Sequence, residues 1–410
     1  MKLKFGHIAD THIGHYSGKV EKGGINARFI DFVKTYNQSI DRMIADKMDF
    51  CLIPGDIFRT KKPGPEELDA FAEGILKLVK AEIPAILTLG NHDVFLYDGG
   101  THSFSVVDRM FDFIKKEKLA SIKDDSFILS SKPEIITLDI RGQKIQIQTM
   151  PYPVRSLLRL ETKEAVEKYM VEKVNEVYES RDKNIPIVFA GHFSISEALI
   201  GGEQINFDKF SEPLMSKEVF VGKDYKYVAM GHLHQYQVVS ENPLIVYCGS
   251  NNRVDFNEAD EPKGFVEVLI DDTKTKHRFI DVEARKFIDL KYDLSEENEP
   301  TEKIMSSITD RIEEIKEAIV RVIVTVSSKN RDKYDDEQVS DFLNKYCYHI
   351  HGTTIPTIKR ETDARNISGF VESMDVFSAL RHYASVRNIS NKEDFIKLGE
   401  GIVKKTRGGD

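Results

Sequence analysis

Runs rich in apolar residues alternate with amphipathic segments along the first part of the chain. Residues 4–9, 50–53 and 86–89 are runs of strand length. The segment 28–47 carries apolar side chains at i, i+3, i+4 and i+7, the spacing of one helix face. Pro65 indicates the start of a second helix, since proline followed by acidic residues is favoured in a first turn. Strand, helix, strand, helix, strand in this order predicts a parallel α/β arrangement.

The pattern changes to short strands after a third helix, predicted near residues 106–118. Residues 134–139 and 144–149 flank Arg141-Gly142-Gln143, which indicates a hairpin. A charged helix at 161–181 precedes four further runs, which are expected to complete a second sheet: 187–190, 227–230, 244–248 and 265–270. We therefore predict an α/β fold of the α+β sandwich type, in which two β-sheets pack together and helices lie outside.

The composition shifts near residue 283. The acidic stretch 294–300 is typical of a hinge, and it precedes a predicted helix at 301–317, a β-branched strand at 319–326 and a helix at 336–347. Two more short helices are predicted at 373–386 and 392–405. We predict three domains: residues 1–282, a small α+β cap at 283–360 and a helical segment at 361–410.

The composition indicates more about the cellular location of the protein than about the reaction that it catalyses. The 410 residues are 40% hydrophobic, and no apolar run approaches the about 20 residues that cross a bilayer. The first residues lack the apolar core of a signal peptide, so we expect a cytoplasmic protein without a membrane partner. Cys51, Cys248 and Cys347 are far apart and odd in number, which favours buried thiols over disulfides or a cysteine zinc site. The net charge of −9 neither indicates nor excludes nucleic acid, because cations and basic loops can reverse the local field.

Residues of metal-ligand type follow five of the apolar runs. In open α/β sheets such residues gather at the carboxyl ends of the strands. Asp10 and His12 are two apart, as are His232 and His234, and alternate side chains of extended backbone lie on one side. The sequence therefore predicts a single site formed by Asp10, His12, Asp56, Asn91, His192, His232 and His234.

The predicted donors are suited to a pair of metal ions. Carboxylates, imidazoles and an amide oxygen favour manganese, iron or zinc over calcium or copper. Seven donors are too many for one tetrahedral ion but suit two divalent ions about 3.5–4 Å apart. Asp56 is the expected bridge, because the two oxygens of one carboxylate can bind both ions. Such a pair activates water and neutralises charge on a phosphoryl oxygen during in-line displacement.

His92 adjoins the predicted ligand Asn91 and is expected to face elsewhere. We assign it a chemical role: it donates a proton to the leaving oxygen, or holds that oxygen in the transition state. Asp93 is expected to fix the tautomer of His92.

Each of these motifs, taken alone, is more often coincidental than functional. All five motifs occur in one chain, each after an apolar run, and this combination favours a functional interpretation over coincidence. The other histidines lack a partner pattern. We interpret His7 and His15 as structural or loop residues, and the remainder as satisfied or solvated: His102, His277, His349, His351 and His382.

The motif series resembles that of the calcineurin-like metallophosphoesterases. The matching strings are Asp10-Thr11-His12, Gly55-Asp56, Gly90-Asn91-His92-Asp93, Gly191-His192 and Gly231-His232-Leu233-His234. The resemblance covers about residues 1–282. It implies a metallophosphoesterase fold, two bound metals and a His92 that acts on the leaving group.

The flanking residues are similar to those of the SbcD-like nuclease subunits of DNA double-strand-break repair complexes. The shared stretches are 7–14, 55–58, Gly249-Ser250, 253–256 and Lys263-Gly264-Phe265. The resemblance implies a manganese-dependent exo- and endonuclease that acts on DNA ends and hairpins. It also implies an SMC-type coiled-coil ATPase (SbcC-like) as partner, a homodimer, and association with the nucleoid during repair. In layout, residues 283–360 resemble a capping, DNA-binding domain, and 361–410 resemble the segment that docks the ATPase.

Two features leave alternatives open. Many family members have a histidine three residues after the bridging aspartate, where this chain has Arg59. Arg59, Lys61 and Lys62 are either contacts to DNA phosphates or a solvated basic loop. The apolar face predicted on helix 373–386 either docks a partner or packs on this chain; it comprises Met374, Val376, Phe377, Leu380 and Tyr383.

Two other functions fit the sequence less well. A phosphatase or small-substrate phosphodiesterase would use the same two-metal scaffold, but it would not need the extension 283–410. A catalytically inactive scaffold protein should have lost ligands, and none is missing.

Overall fold

The computed structural model describes residues 2–21, 23–94, 102–116, 123, 125–200, 203–204, 212–351, 357–359 and 393–399. The strands are β1 Lys2–His7, β2 Phe50–Pro54, β3 Ala85–Thr88, β4 Phe127–Ser130, β5 Glu134–Ile140, β6 Gln143–Met150, β7 Ile187–His192, β8 Ser194–Ile195, β9 Leu199–Ile200, β10 Glu203–Gln204, β11 Leu214–Met215, β12 Val228–Gly231, β13 Gln237–Glu241, β14 Leu244–Tyr247, β15 Gly264–Asp271, β16 Thr275–Asp281, β17 Phe287–Leu294, β18 Ile319–Ser327, β19 His349–Ile350 and β20 Thr357–Lys359. The α-helices are α1 Ala27–Ala45, α2 Pro65–Lys80, α3 Ser105–Lys116, α4 Arg155–Leu158, α5 Lys163–Glu179, α6 Pro300–Thr309, α7 Ile312–Ile315 and α8 Asp336–Leu343. The helix predicted at 373–386, with its apolar face, lies outside the described residues.

Two six-stranded sheets contain most of the strands. Their strand orders are β16-β15-β1-β2-β3-β4 and β13-β14-β12-β7-β6-β5. The strands β1 to β4 run parallel to one another, and so do β6, β7, β12 and β14. The predicted α/β sandwich of two sheets with flanking helices is confirmed.

Strand β2 shows how the apolar pattern produces the layers. Phe50 and Leu52 face the core between the two sheets. Cys51 and Ile53 alternate with them and pack on the other side, in a core that includes Tyr36 of α1. Because both faces of β2 are buried, its sequence is an unbroken apolar run instead of an alternating one.

Strand β15 lies in a different sheet from the one predicted. The run 265–270 was expected to extend the second sheet, but β15 pairs antiparallel with β1, from Lys2↔Asp271 to His7↔Val266. The chain crosses between the sheets after β14. Without β15, the side of β1 away from β2 would be an unpaired edge, and pairing satisfies its backbone groups. The apolar pattern marks a strand but does not identify the edge that it joins.

Helix α1 was predicted at 28–47 and is found one residue earlier, with Asn26 as its cap. The Asn26 side chain accepts a hydrogen bond from the Phe29 backbone N–H at 2.9 Å. The single helix predicted at 301–317 is wrong, since the chain forms α6 and α7 instead. Thr309 ends α6 and its hydroxyl donates to the Met305 carbonyl at 2.8 Å. Such side-chain bonds compete with the helical pattern.

Backbone contacts divide the chain into two compact units. The first comprises the described residues within 1–291, 305–323 and 336–355, and the second comprises those within 292–304, 324–335 and 356–410. In the first unit, the start of β18 pairs with β19 through Ile319↔His349. In the second, the end of β18 pairs with β20 through Thr325↔Thr357. The boundary predicted between residues 282 and 283 does not coincide with this division, and the three-domain assignment stays a prediction.

The core between the sheets contains a buried imidazole that gives a test of this packing. His7 is fully buried, and its Nδ1 lies 3.0 Å from the Tyr227 hydroxyl. Burial lowers the pKa of His7 from 6.5 to about 3. As the pH falls below 6.5, the unfolded chain therefore takes up a proton that the folded chain does not, and stability is lost.

We expect the double substitution His7→Phe and Tyr227→Phe to reduce this loss. Because the unfolded imidazole is already half protonated at pH 6.5, this linkage amounts to about 2 kcal/mol down to pH 4.5, and the wild type should lose about that much more unfolding free energy than the double variant over this range. Urea unfolding of the metal-free protein at several pH values measures the difference. Tyr227→Phe alone is the control, because it retains the titrating group. Equal pH slopes in all three proteins would contradict the assignment.

Candidate metal centre

The parallel strands deliver the predicted ligands to one edge of the sandwich. β1 is followed by Asp10 and His12, and β2 by Asp56. β7 ends at His192, which is in register with Gly231 at the end of β12. Asn91 follows β3, while His232 and His234 follow β12. The structure therefore brings all seven predicted side chains together.

Asp10, His12 and His234 form one group of donors. Their ligand atoms lie within 4.8 Å of one another. The Nε2 atoms of His12 and His234 are 2.9 Å apart. Burial and then the neighbouring His234 lower the pKa of His12 to about 3, so its ring is neutral, the form that binds a metal. Two imidazole nitrogens that face each other beside a carboxylate suit a shared cation.

His192, Asn91 and His232 form a second group. The Asn91 Oδ1 lies 3.0 Å from His192 Nε2 and 3.1 Å from His232 Nδ1. Burial alone would lower the pKa of His192, but the Asp56 carboxylate raises it to about 10. Asp56 therefore favours a proton on this ring in the absence of a metal, and a bound cation would displace that proton from Nε2.

Asp56 lies between the two groups. Its Oδ2 is 3.4 Å from His192 Nε2 and 3.9 Å from His12 Nε2. Burial opposes its ionisation, yet the imidazoles around it hold its pKa below the usual range. An ionised, buried carboxylate in this position fits the bridge between two cations that the sequence predicted.

The backbone of the ligand residues differs from the prediction. Extended backbone was expected to place each pair on one side, but several ligands have positive φ: 51° at Asp10, 44° at His12, 53° at Asp56 and 98° at His232. The side chains converge because the chain turns sharply just after the strands end. Non-glycine residues in this region cost about 1 kcal/mol or more each, a strain that is typical of functional sites.

Each of three ligand histidines also contacts a hydrogen-bond acceptor outside the donor set, and this contact fixes the orientation of the ring. His192 Nδ1 lies 2.7 Å from the Pro54 carbonyl, His234 Nδ1 lies 2.7 Å from Glu258 Oε1, and His232 Nε2 lies 2.8 Å from Glu212 Oε2. An acceptor at one ring nitrogen keeps the proton there and leaves the lone pair of the other nitrogen free for a metal. In each case that free nitrogen is the one that faces the other donors.

The sequence did not predict Glu212 or Glu258. Glu258 is buried, and Lys263 Nζ lies 2.7 Å from its Oε2. Burial would raise its pKa, but His234 and Lys263 lower it to about 2. The family-like string Lys263-Gly264-Phe265 was the nearest signal, and it named the lysine but not the glutamate. No motif surrounds Glu212.

Asp93 has a different role from the one predicted. Its carboxylate accepts hydrogen bonds from the backbone N–H of Asp56 and Gly90 at 2.8 Å and of Ile57 at 3.2 Å. The prediction that Asp93 orients His92 is therefore wrong. Three converging N–H groups are a stronger attraction for a buried carboxylate than one imidazole, and Asp93 holds the turns after β2 and β3 together.

His92 lies at the side of the centre, close to the first group. Its ring centroid is 5.0 Å from that of His12, and its backbone N–H donates to Asp56 Oδ1 at 2.8 Å. Its Nδ1 lies 2.6 Å from the Arg59 carbonyl, which takes the place predicted for Asp93. The Arg59 guanidinium lies 4.3 Å from the centre of the Tyr16 ring, while Lys61 and Lys62 are exposed. The contact of these three basic residues with DNA stays a prediction.

The sequence is similar to a family of known chemistry over the part that forms this centre. Residues 3–236 match the family described as calcineurin-like phosphoesterase, which is more than half of the 410 residues. This chain belongs to the calcineurin-like phosphoesterase family. The predicted enzyme class, a metal-dependent phosphoesterase, is confirmed.

This chain resembles several curated proteins that are named for DNA double-strand break repair. It is 25% identical over 254 residues to "DNA double-strand break repair protein Mre11" of Thermoplasma acidophilum, covering 62% of this chain but only 57% of that protein. It is 22% identical over 368 residues to the protein of the same name from Archaeoglobus fulgidus, covering 84% and 72%. A dimetal phosphatase from Danio rerio overlaps 68% of this chain and 98% of its own at a TM-score of 0.39 and 8% identity. Within the described residues, no helix is long and apolar enough to span a membrane.

Glu212 provides a test of the orientation of His232. Glu212→Gln removes the charged acceptor at Nε2, so the phosphoesterase should bind one of two Mn²⁺ ions about 10–100-fold more weakly. Isothermal titration with Mn²⁺ measures both binding steps. Glu218→Gln, on the exposed turn that follows, is the matched control. An unchanged two-step titration for Glu212→Gln would show that the contact does not matter.

Gly90 provides a test of the position of Asp56 that removes no donor. A Cβ at Gly90 would lie 2.2 Å from Asp56 Oδ1 and 2.5 Å from its backbone nitrogen. We expect Gly90→Ala to displace the bridge and to weaken Mn²⁺ binding at both sites, since Asp56 adjoins both groups. The control is Gly64→Ala, whose Cβ would meet only the flexible end of Glu67. Wild-type affinity in Gly90→Ala would count against Asp56 as the shared ligand.

Proposed function

We propose that this phosphoesterase is a manganese-dependent DNA nuclease that hydrolyses phosphodiester bonds at DNA ends and hairpins in double-strand-break repair. The observation that carries the proposal is the complete donor set beside His92. The names of the relatives and the SbcD-like residues that flank the motifs support DNA as the substrate.

The seven donors would hold the two metals in two groups. Asp10, His12 and His234 would hold one ion. Asn91, His192 and His232 would hold the other, and Asp56 would be shared between them. A bound pair of divalent ions supplies Lewis acidity, which makes water nucleophilic at neutral pH and offsets charge on phosphoryl oxygens.

His92 is placed to act on the leaving oxygen. Because the Arg59 carbonyl can only accept a hydrogen bond, the His92 proton is held at Nδ1. When the ring is also protonated at Nε2, that nitrogen is the remaining donor. His92 would give this proton to the oxygen that departs from phosphorus. Asp93 would support the reaction indirectly, by holding Asp56 and Gly90 in place.

The partners belong to the same proposal. An SMC-type, SbcC-like coiled-coil ATPase, a homodimer, and a cytoplasmic location with association to the nucleoid are supported by the sequence resemblance. The predicted cap at 283–360 and the predicted docking segment at 361–410 would serve DNA and the ATPase respectively. Manganese is supported by the mixture of carboxylate, imidazole and amide donors.

A metallophosphatase or small-substrate phosphodiesterase is the alternative. The same donor geometry would serve a phosphate monoester or a cyclic nucleotide. Substrate preference therefore separates the two functions, and the metal centre does not.

We expect the wild-type protein with Mn²⁺ to cleave hairpin and blunt-ended DNA, alone or with its ATPase. His92→Ala should reduce cleavage at least about 100-fold, because the general acid is lost, while isothermal titration shows Mn²⁺ binding unchanged. His277→Ala is the matched control, since His277 lies on β16 beside Tyr236 and is not among the donors. Hydrolysis of p-nitrophenyl phosphate or cyclic nucleotides without any DNA cleavage would support the alternative instead.

A further inference from the structure

A cavity of about 570 Å³ adjoins the metal centre, and its whole lining belongs to the first compact unit. His12, Asp56, Asn91 and His92 contribute one part of the lining. Residues far along the chain contribute another part, which we call the distal wall: Val254, Phe287, Ile319, His349 and His351. The volume falls within the range of about 300–1,000 Å³ that is typical of small-molecule sites.

The distal wall is a packed aromatic assembly. The Phe256 ring lies behind it, with its centroid 4.8 Å from that of Phe287 and 5.1 Å from that of His351. The guanidinium of Arg321 covers Phe256 at 4.4 Å from the ring centre. Arg321 is itself held by two hydrogen bonds to Asp289, of 2.7 and 2.8 Å. These contacts keep the rings of the wall in place.

Ion pairs and stacking anchor the wall to the body that carries the metal ligands. Arg285 donates to the two carboxylate oxygens of Asp31 on α1 at 2.8 and 2.9 Å. Its guanidinium lies 3.5 Å from the centre of the Tyr348 ring, and the Tyr348 hydroxyl donates to Glu21 at 2.6 Å. Since Tyr348 immediately precedes β19, the positions of His349 and His351 relative to the metal centre are fixed.

The chemistry of the wall is flat, apolar and mostly uncharged. Burial lowers the pKa of His349 from its usual value, which favours a neutral ring at pH 7. Positive charge in the lining comes from Arg59 and from Arg28, whose guanidinium lies 5.1 Å from the centre of the Phe287 ring. Arg28 is already paired with the Asp31 carboxylate, to which it donates at 2.7 Å. A second phosphate would gain little from the distal wall, whereas the face of a nucleobase stacks on such rings with about 1–3 kcal/mol per base.

We propose that the distal wall is a subsite for the nucleoside attached to the scissile phosphate, with His349 and His351 as its base-stacking residues. The inference rests on the proposed function, since it assumes that the phosphate occupies the metal centre. It changes the sequence-based interpretation of both histidines, which were expected to be satisfied or solvated. The wall gives the phosphoesterase a preference for nucleotide esters over simple phosphate esters.

Binding of thymidine monophosphate and of methyl phosphate to the Mn²⁺-loaded protein tests the subsite. The wild type should bind 5′- or 3′-thymidine monophosphate at least about 10-fold more tightly than methyl phosphate in isothermal titration. The double substitution His349→Ala and His351→Ala should remove most of this preference and leave the affinities for methyl phosphate and Mn²⁺ unchanged. His351→Phe retains a stacking ring and should retain the preference, and His277→Ala is the matched control.

Three results would overturn the subsite: no preference in the wild type, an unchanged preference in the double alanine variant, or equal loss of both ligands in that variant. The double variant must keep the wild-type melting temperature and Mn²⁺ affinity; if it does not, His351→Ala alone is measured by the same criteria. Failure of the proposed function is distinguishable, because these titrations need no cleavage. A nucleoside preference without DNA cleavage would contradict the proposed nuclease function and support the subsite. DNA cleavage without the preference would support the nuclease function and contradict the subsite.

Discussion

The structure depends on the convergence of buried carboxylates and imidazoles at the carboxyl edge of two sheets. Asp10 and Asp56 are both buried, and charges removed from water need a partner. The imidazoles that surround Asp56 compensate part of this negative charge, and two divalent cations would compensate the rest. The strained backbone at Asp10, His12 and Asp56 is tolerated because the two turns bond to each other: the N–H groups of Asp10 and His12 donate to the carbonyls of Gly55 and Asp56, each at 3.1 Å. Packing of the sandwich thus provides the free energy that holds the donors together.

Residues other than the seven donors also determine the geometry of the metal centre. Pro54, Glu258 and Glu212 each accept from one ligand histidine and determine which ring nitrogen faces the site. Asp93 secures the turns that carry Asp56 and Gly90, and the Arg59 carbonyl orients His92. The distal wall adds a surface for the organic part of a substrate. A common metal centre can therefore serve different phosphoesters according to what surrounds it.

Much of the fold and most of the centre follow from local sequence. The run 50–53 with Gly55-Asp56 predicts both a buried strand and the donor at its end, since periodicity and turn chemistry act over a few residues. Partners separated along the chain do not follow: Glu258 bonds to His234, and β15 pairs with β1, through tertiary contacts. The positive φ at Asp10 and His12 was missed because residues two apart also fit extended backbone. Asp93 was placed beside His92 by adjacency, although backbone N–H groups attract it more strongly.

The central claim is that seven scattered side chains hold two ions with Asp56 between them. Crystals grown with Mn²⁺, with diffraction recorded at the manganese absorption edge, test it most directly. The account predicts two anomalous peaks about 3.5–4 Å apart. Asp10, His12 and His234 should border one peak, and Asn91, His192 and His232 the other. A single peak, or peaks remote from Asp56, would contradict it.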